Sequence, residues 1–187
     1  MKDLLAVVLC GGQSRRMGSD KGLLTTQNKP WAKVIAEKLE ALSLHVVISI
    51  NQGQLSEYRK ALPETTLIID KTSIPGPLNG LLSVHKCYPE KDLLLMACDL
   101  IDMDPETLSL LIQIYNEHPH YDFYAYKVAG FIQPFCAIYT AKGLAEIDIS
   151  LRKNEIVKYS LHHRFAAGNT KFIFSTNSNA FNNYNSL

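Results

Sequence analysis

Two glycines and three cations, Gly11, Gly12, Arg15, Arg16 and Lys21, crowd the stretch CGGQSRRMGSDKG, directly after the apolar run LLAVVL. Glycines let a backbone approach a ligand closely, the free N–H groups of a tight turn form an anion nest, and guanidinium and ammonium groups neutralise phosphate oxygens. The stretch is neither the dinucleotide pattern GxGxxG nor a Walker A loop, because Gly22 rather than Ser or Thr follows Lys21. It keeps the physics of both, and a polyphosphate suits it. A strand-to-helix turn with its basic residues in solvent has the same composition, so the loop alone leaves both readings open.

Carboxylates and an amide recur at the ends of later apolar runs. Asp99 closes DLLLMACD, where a carboxylate can bind a Mg²⁺ ion that bridges nucleotide phosphates; its plainer reading is a loop carboxylate or helix cap. Asp102 and Asp104 follow closely and are assigned to structure, since Asp104 precedes Pro105 and is placed to cap a helix. Asp70 ends TTLIID and suits a ribose hydroxyl or a second metal-bound group, while Asn51 ends HVVISIN and suits a base or sugar. In SIPGPLNG, Gly76 and Gly80 read as a connector to a helix near Leu81 to Tyr88.

Such residues need rigid supports. LLAVVL, HVVISIN, TTLIID and DLLLMACD read as strands, and they alternate with helix patterns: Trp31, Val34, Ile35, Leu39 and Leu42 at spacings of three and four, Gln54 to Leu62 stopped by Pro63, and ETLSLLIQIYNEH after Pro105. Alternation of this kind predicts an α/β fold, a mostly parallel sheet with helices on both faces. Ligands of such sheets bind outside the carboxyl ends of the strands, where the strand order switches. The four strands end at Gly11/Gly12, Asn51, Asp70 and Asp99, which places every polar residue of interest on one edge. Farther on, YDFYAYKV and QPFCAIYT pair as a hairpin across Ala129-Gly130 or flank a short excursion. Ala141 to Asn154 reads as a helix and TKFIFS as a last strand. The tail NSNAFNNYNSL, rich in Asn and Ser, reads as partly disordered. The aromatics Tyr121, Phe123, Tyr124 and Tyr126 read as core and sheet surface rather than a base-stacking platform.

The whole chain sets bounds. Its 187 residues suit one domain over 1–187, and a formal charge of +1 leaves no global footprint for nucleic acid or an acidic membrane surface. No apolar run reaches the length of a membrane span and Met1-Lys2-Asp3 leads straight into a strand, so a cytoplasmic protein is expected. The four cysteines lack any CxxC pair and read as reduced core thiols, and the pairs His118/His120 and His162/His163 lack companions at zinc-finger spacing.

LCGGQSRRMGSDKGLL resembles the LAGGxSxRMGxDKxLL signature of the molybdenum cofactor guanylyltransferase family, within the nucleotidyltransferases of Rossmann-like fold, a three-layer αβα sandwich with a mostly parallel, partly mixed sheet. Asn51, the GPLNG of IIDKTSIPGPLNG, the CD of LMACDL and QPFCAIYT agree with it in order. The resemblance implies transfer of GMP from GTP to the phosphate of molybdenum-molybdopterin, with diphosphate released. It implies nucleotide binding by Leu9, Cys10, Gly11, Gly12, Arg15 and Lys21, base or ribose recognition by Asn51 and Asp70, and Mg²⁺ on Asp99. Lys21, Arg15 and Asp99 are then the catalytic set, and molybdenum-insertion or molybdoenzyme chaperone proteins are the implied partners. Three departures stand out: Cys10 replaces the alanine of LAGG, Ile101 replaces a proline two residues after the metal aspartate, and the chain stops soon after Asn183 and Asn185, where the family continues NxNTPEDL. Transfer of CMP, transfer to a sugar or polyol phosphate, and silent GTP binding are the competing activities.

Overall fold

A computed structural model describes residues 3–11, 20–72, 74–156 and 158–184. In chain order the strands are β1 (Leu4–Leu9), β2 (Thr25–Thr26), β3 (Lys29–Pro30), β4 (His45–Ile50), β5 (Thr66–Ile69), β6 (Asp92–Ala97), β7 (Phe123–Val128), β8 (Phe131–Tyr139) and β9 (Thr170–Ser175). The helices are α1 (Trp31–Glu40), α2 (Leu55–Ala61), α3 (Pro77–Cys87), α4 (Pro105–Glu117), α5 (Ala141–Arg152) and α6 (Leu161–Ala167). Seven strands form one sheet in the order β5-β4-β1-β6-β8-β7-β9, while β2 and β3 form a small separate ribbon. β8 alone runs against the rest, pairing antiparallel with β6 and β7. The sheet is therefore mostly parallel and partly mixed, as the alternation of strands and helices predicts.

Side chains alternate across each strand, so β1 feeds two cores. Ala6, Val8 and Cys10 face Ala32, Ile35 and Leu39 of α1, Tyr58 of α2, and Leu108 and Leu111 of α4. Leu5, Val7 and Leu9 face Leu78, Leu81 and Leu82 of α3, Leu144 of α5 and Phe165 of α6. Both faces of β1 are buried, which is why its sequence is apolar without a break.

Four expectations need correction. Helix α3 begins at Pro77, not near Leu81, because Pro77 takes the first helical position behind Gly76 at φ 80°, leaving Gly80 inside the helix. Strand β6 stops at Ala97, and Asp99 lies in the turn that follows, closed by Leu100 N–H on the Ala97 carbonyl at 3.3 Å. Helix α6 was not anticipated. The tail through Tyr184 is docked rather than disordered: Ala180 and Phe181 are buried, with the Phe181 ring 5.2 Å from that of Tyr126. Its few aromatics supply the apolar area that the Asn and Ser content hides. The hairpin expectation holds, with Ala129 and Gly130 both at positive φ as a two-residue turn requires. The Asp104 cap holds too, its carboxylate accepting from Thr107 N–H at 2.6 Å.

Candidate active site

From β1 the chain winds outward through β4 to β5, then crosses back to β6 on the other side of β1. The order of strands switches between β1 and β6, the point at which sheets of this kind form a ligand crevice outside the carboxyl ends of their strands. Cys10 and Gly11 leave β1 on one side of it, and Cys98 and Asp99 leave β6 on the other, tied by Cys98 N–H to the Leu9 carbonyl at 3.2 Å.

Lys21 reaches across this crevice. Its Nζ lies 3.0 Å from Asp99 Oδ2, with the two side chains 19% and 10% exposed. Asp99 Oδ1 is buried and has no hydrogen-bond partner among the described residues. A half-paired, half-orphaned carboxylate fits a Mg²⁺ site of the kind that takes one protein carboxylate and fills its other positions with phosphate oxygens and water. No group of three or more metal-binding side chains occurs among the described residues.

Lys21 is held by its neighbour. Asp20 caps the single 3₁₀ turn Lys21–Leu23, accepting from Gly22 N–H at 3.0 Å, from the Tyr58 hydroxyl at 2.9 Å and from Gln54 Nε2. Gln54 also donates to the Cys10 carbonyl at 3.1 Å and accepts from Asn51 N–H at 2.7 Å. One amide thus joins the end of β1, the end of β4 and the far end of the basic loop. Gly22 lies hard against this network: a Cβ there would stand 2.1 Å from the Tyr58 hydroxyl oxygen.

Asp70 closes the β4 side. It follows β5, accepts from the Ser49 hydroxyl at 2.9 Å, and lies against Gly11, where an added Cβ would meet Asp70 Oδ2 at 2.7 Å. Burial pushes its carboxyl above the usual range, and the Ser49 hydrogen bond opposes that only in part. The loop after it is fastened to α3 by Asn79, whose Oδ1 accepts from Thr72 N–H at 3.1 Å and from the Thr72 hydroxyl at 2.7 Å.

The structure therefore gathers Leu9, Cys10, Gly11, Lys21, Asn51, Asp70 and Asp99 at one edge, while Gly12, Arg15 and Arg16 lie outside the described residues. Cys10 contributes backbone only: its thiol is buried on the α1 and α2 face beside Tyr58 and Cys98, and burial above all pushes its pKa up. Cys10, Cys98 and Cys136 are buried free thiols as expected, whereas Cys87, also read as a core thiol, is exposed at the last residue of α3. Sequence reasoning missed Ser49, Asp20, Gln54 and Tyr58. Two signals were available: Ser49 is the one small polar residue among the apolar positions of HVVISI, and Gln54 follows Asn51 at capping-box spacing.

The strand order and its switch point define a doubly wound α/β protein. The chain belongs to the MobA-like NTP transferase domain family, whose match spans residues 6–163. It is 28% identical over 186 residues to the molybdenum cofactor guanylyltransferase of Pasteurella multocida, covering 97% of this chain and 94% of that protein. It is 30% identical over 141 residues to the molybdenum cofactor biosynthesis bifunctional protein of Synechocystis sp., covering 75% of this chain but only 40% of that longer protein. The crystal structure of molybdopterin-guanine dinucleotide biosynthesis protein A from Archaeoglobus fulgidus shares the fold at a TM-score of 0.77 and 19% identity, over 98% of this chain and 92% of that one. No helix among the described residues is long and apolar enough to cross a membrane.

Proposed function

We propose that this chain is a molybdenum cofactor guanylyltransferase, a single domain in the cytoplasm that moves GMP from GTP to the terminal phosphate of molybdenum-molybdopterin and releases diphosphate. The observation that carries the reading is the Lys21–Asp99 pair across the switch point, in a chain whose family match includes both residues. The Gly11 turn lets the triphosphate approach the end of β1, and Gly12 and Arg15, which lie outside the described residues, are assigned to the same ligand. Asn51 and Asp70, at the ends of the next two strands, face the base or ribose. The pterin phosphate attacks the α-phosphate in line, the bond to the β-phosphate breaks, and diphosphate leaves from the opposite side. Lys21 neutralises charge that builds on the transferring and leaving groups, and one well-placed donor of this kind contributes about 3 to 4 kcal/mol. Asp99 would hold Mg²⁺, which when bound supplies further charge neutralisation on the triphosphate.

The test is equilibrium binding of GTP, CTP, ATP and UTP with Mg²⁺, followed by turnover with molybdenum-molybdopterin. Selective GTP binding and a guanine dinucleotide product are expected. Selectivity for CTP would replace the reading by cytidylyl transfer, and GTP binding without turnover would leave a silent nucleotide-binding protein.

A further inference from the structure

The chain turns twice, first around Asp99, with Leu100 N–H on the Ala97 carbonyl, and then just beyond it, with Met103 N–H on the Leu100 carbonyl at 3.1 Å. Leu100 and Met103 are buried, so the segment cannot slide outward without exposing both. Its carbonyls at Ile101 and Met103 converge on one side chain from α1: Lys38 Nζ donates to them at 2.6 and 2.7 Å. The acidic residue between them is gripped from the other side, Asp102 Oδ2 accepting from the Tyr184 hydroxyl at 2.7 Å and from Asn182 Nδ2 at 3.3 Å. Tyr184 in turn packs edge-on against Trp31, the first residue of α1, at 6.1 Å.

We propose that Lys38 is a positioning residue for Asp99, its ammonium clamping the Ile101 and Met103 carbonyls so that the turn presents the carboxylate to the crevice in one fixed place. The inference rests on the role proposed above for Asp99. Ile101 carries no ring to fix φ in this turn, so the constraint must come from elsewhere, and a doubly engaged ammonium anchored in a packed helix provides it. Burial lowers the Lys38 pKa below its usual value, against the pull of Asp102 and Asp104. The plainer alternative is a staple between α1 and the β6–α4 connection that fixes the fold and leaves the carboxylate's function alone.

Mn²⁺ binding in the presence of GTP, followed by electron paramagnetic resonance, separates the two. Lys38→Met keeps most of the stem and removes the charge; it is expected to weaken Mn²⁺ binding about tenfold, while GTP affinity in EDTA stays within about twofold of the parent. Lys38→Arg, whose fork can reach both carbonyls, is expected to restore Mn²⁺ binding to within about threefold. Unchanged Mn²⁺ binding in Lys38→Met overturns the proposal, and so does an equal loss of GTP affinity in EDTA. If Lys38→Met does not fold, Lys38→Gln, which can keep one of the two contacts, is to give a smaller loss, and no loss there overturns it equally. Failure of the underlying reading looks different: the parent protein would bind no Mn²⁺ with GTP, or Asp99→Asn would leave Mn²⁺ binding intact.

Discussion

Lys21 and Asp99, 78 residues apart in sequence, meet at 3.0 Å between the ends of β1 and β6. Each neutralises the other in a crevice that screens both from bulk water, and that mutual dependence gives a test. Lys21→Met strands a carboxylate whose second oxygen has no partner among the described residues, at a cost of about 1 to 3 kcal/mol in stability. The double variant Lys21→Met/Asp99→Asn is expected to recover much of that loss in denaturant unfolding. Transfer activity follows another logic. Either single change is expected to lower turnover by about 10² or more, and the double variant is not to recover it. A double variant no more stable than Lys21→Met would mean that the pair is not coupled in the folded protein.

The network behind Lys21 gives a second test through packing. A methyl group at Gly22 collides with the Tyr58 hydroxyl oxygen and sits 3.0 Å from Cys10 Sγ. Gly22→Ala is therefore expected to destabilise by about 1 to 3 kcal/mol and to weaken GTP binding, because the turn that aims Lys21 must shift. Tyr58→Phe removes the colliding oxygen, at the cost of one hydrogen bond to Asp20. Combined, the two are expected to cost less than the sum of the singles, a non-additivity of at least about 0.5 kcal/mol in a thermal or denaturant cycle. Strict additivity would place the strain of Gly22→Ala elsewhere.

The carboxyl-edge site was legible in the sequence because the α/β rule converts strand ends into positions: Gly11, Asn51, Asp70 and Asp99 were each found by where an apolar run stops. What joins them was not legible. Asp20, Gln54 and Tyr58 lie on a turn and a short helix whose partners are set by tertiary approach, and nothing in QGQLSEY states that its amide will reach the Cys10 carbonyl. The tail misled for a compositional reason, since Asn and Ser dominate its count while Phe181 and Tyr184 do its docking. The start of α3 was misplaced because Gly76 and Gly80 read as one turn, although only Gly76 adopts positive φ.

The family alanine replaced by Cys10 bears on the thiols. Cys10 Sγ is buried in the core shared with α1 and α2, beside Tyr58 and Cys98, and burial keeps it a protonated thiol. Cys10→Ala is expected to leave GTP affinity within about twofold and to lower stability by about 1 kcal/mol. In the native parent, an aromatic disulfide reagent at neutral pH is expected to label Cys87 rapidly and Cys10, Cys98 and Cys136 only on unfolding. Burial, with a smaller contribution from Asp104, pushes Cys136 up to about 12. Fast labelling of a second thiol would contradict this arrangement.

Asp70 ties pH to stability in the less usual direction. Burial lifts its folded-state pKa above the ordinary 3.8, so between those two values the folded chain holds a proton that the unfolded chain releases. Its contribution to stability is therefore fully present below about pH 4 and is lost as pH rises through the folded value, because ionisation then puts a charge in a partly buried place. Asp70→Asn keeps an oxygen to accept from Ser49 and removes the charge. Its Tm is expected to exceed the parent's at pH 7, with the gain shrinking to nothing as pH falls toward 4. GTP binding at pH 7 is expected to weaken at the same time, since a carboxylate kept where it destabilises the fold is kept for what it binds. A variant that loses stability at pH 7, or that binds GTP as tightly as the parent, would remove Asp70 from the site and leave it a structural acceptor for Ser49.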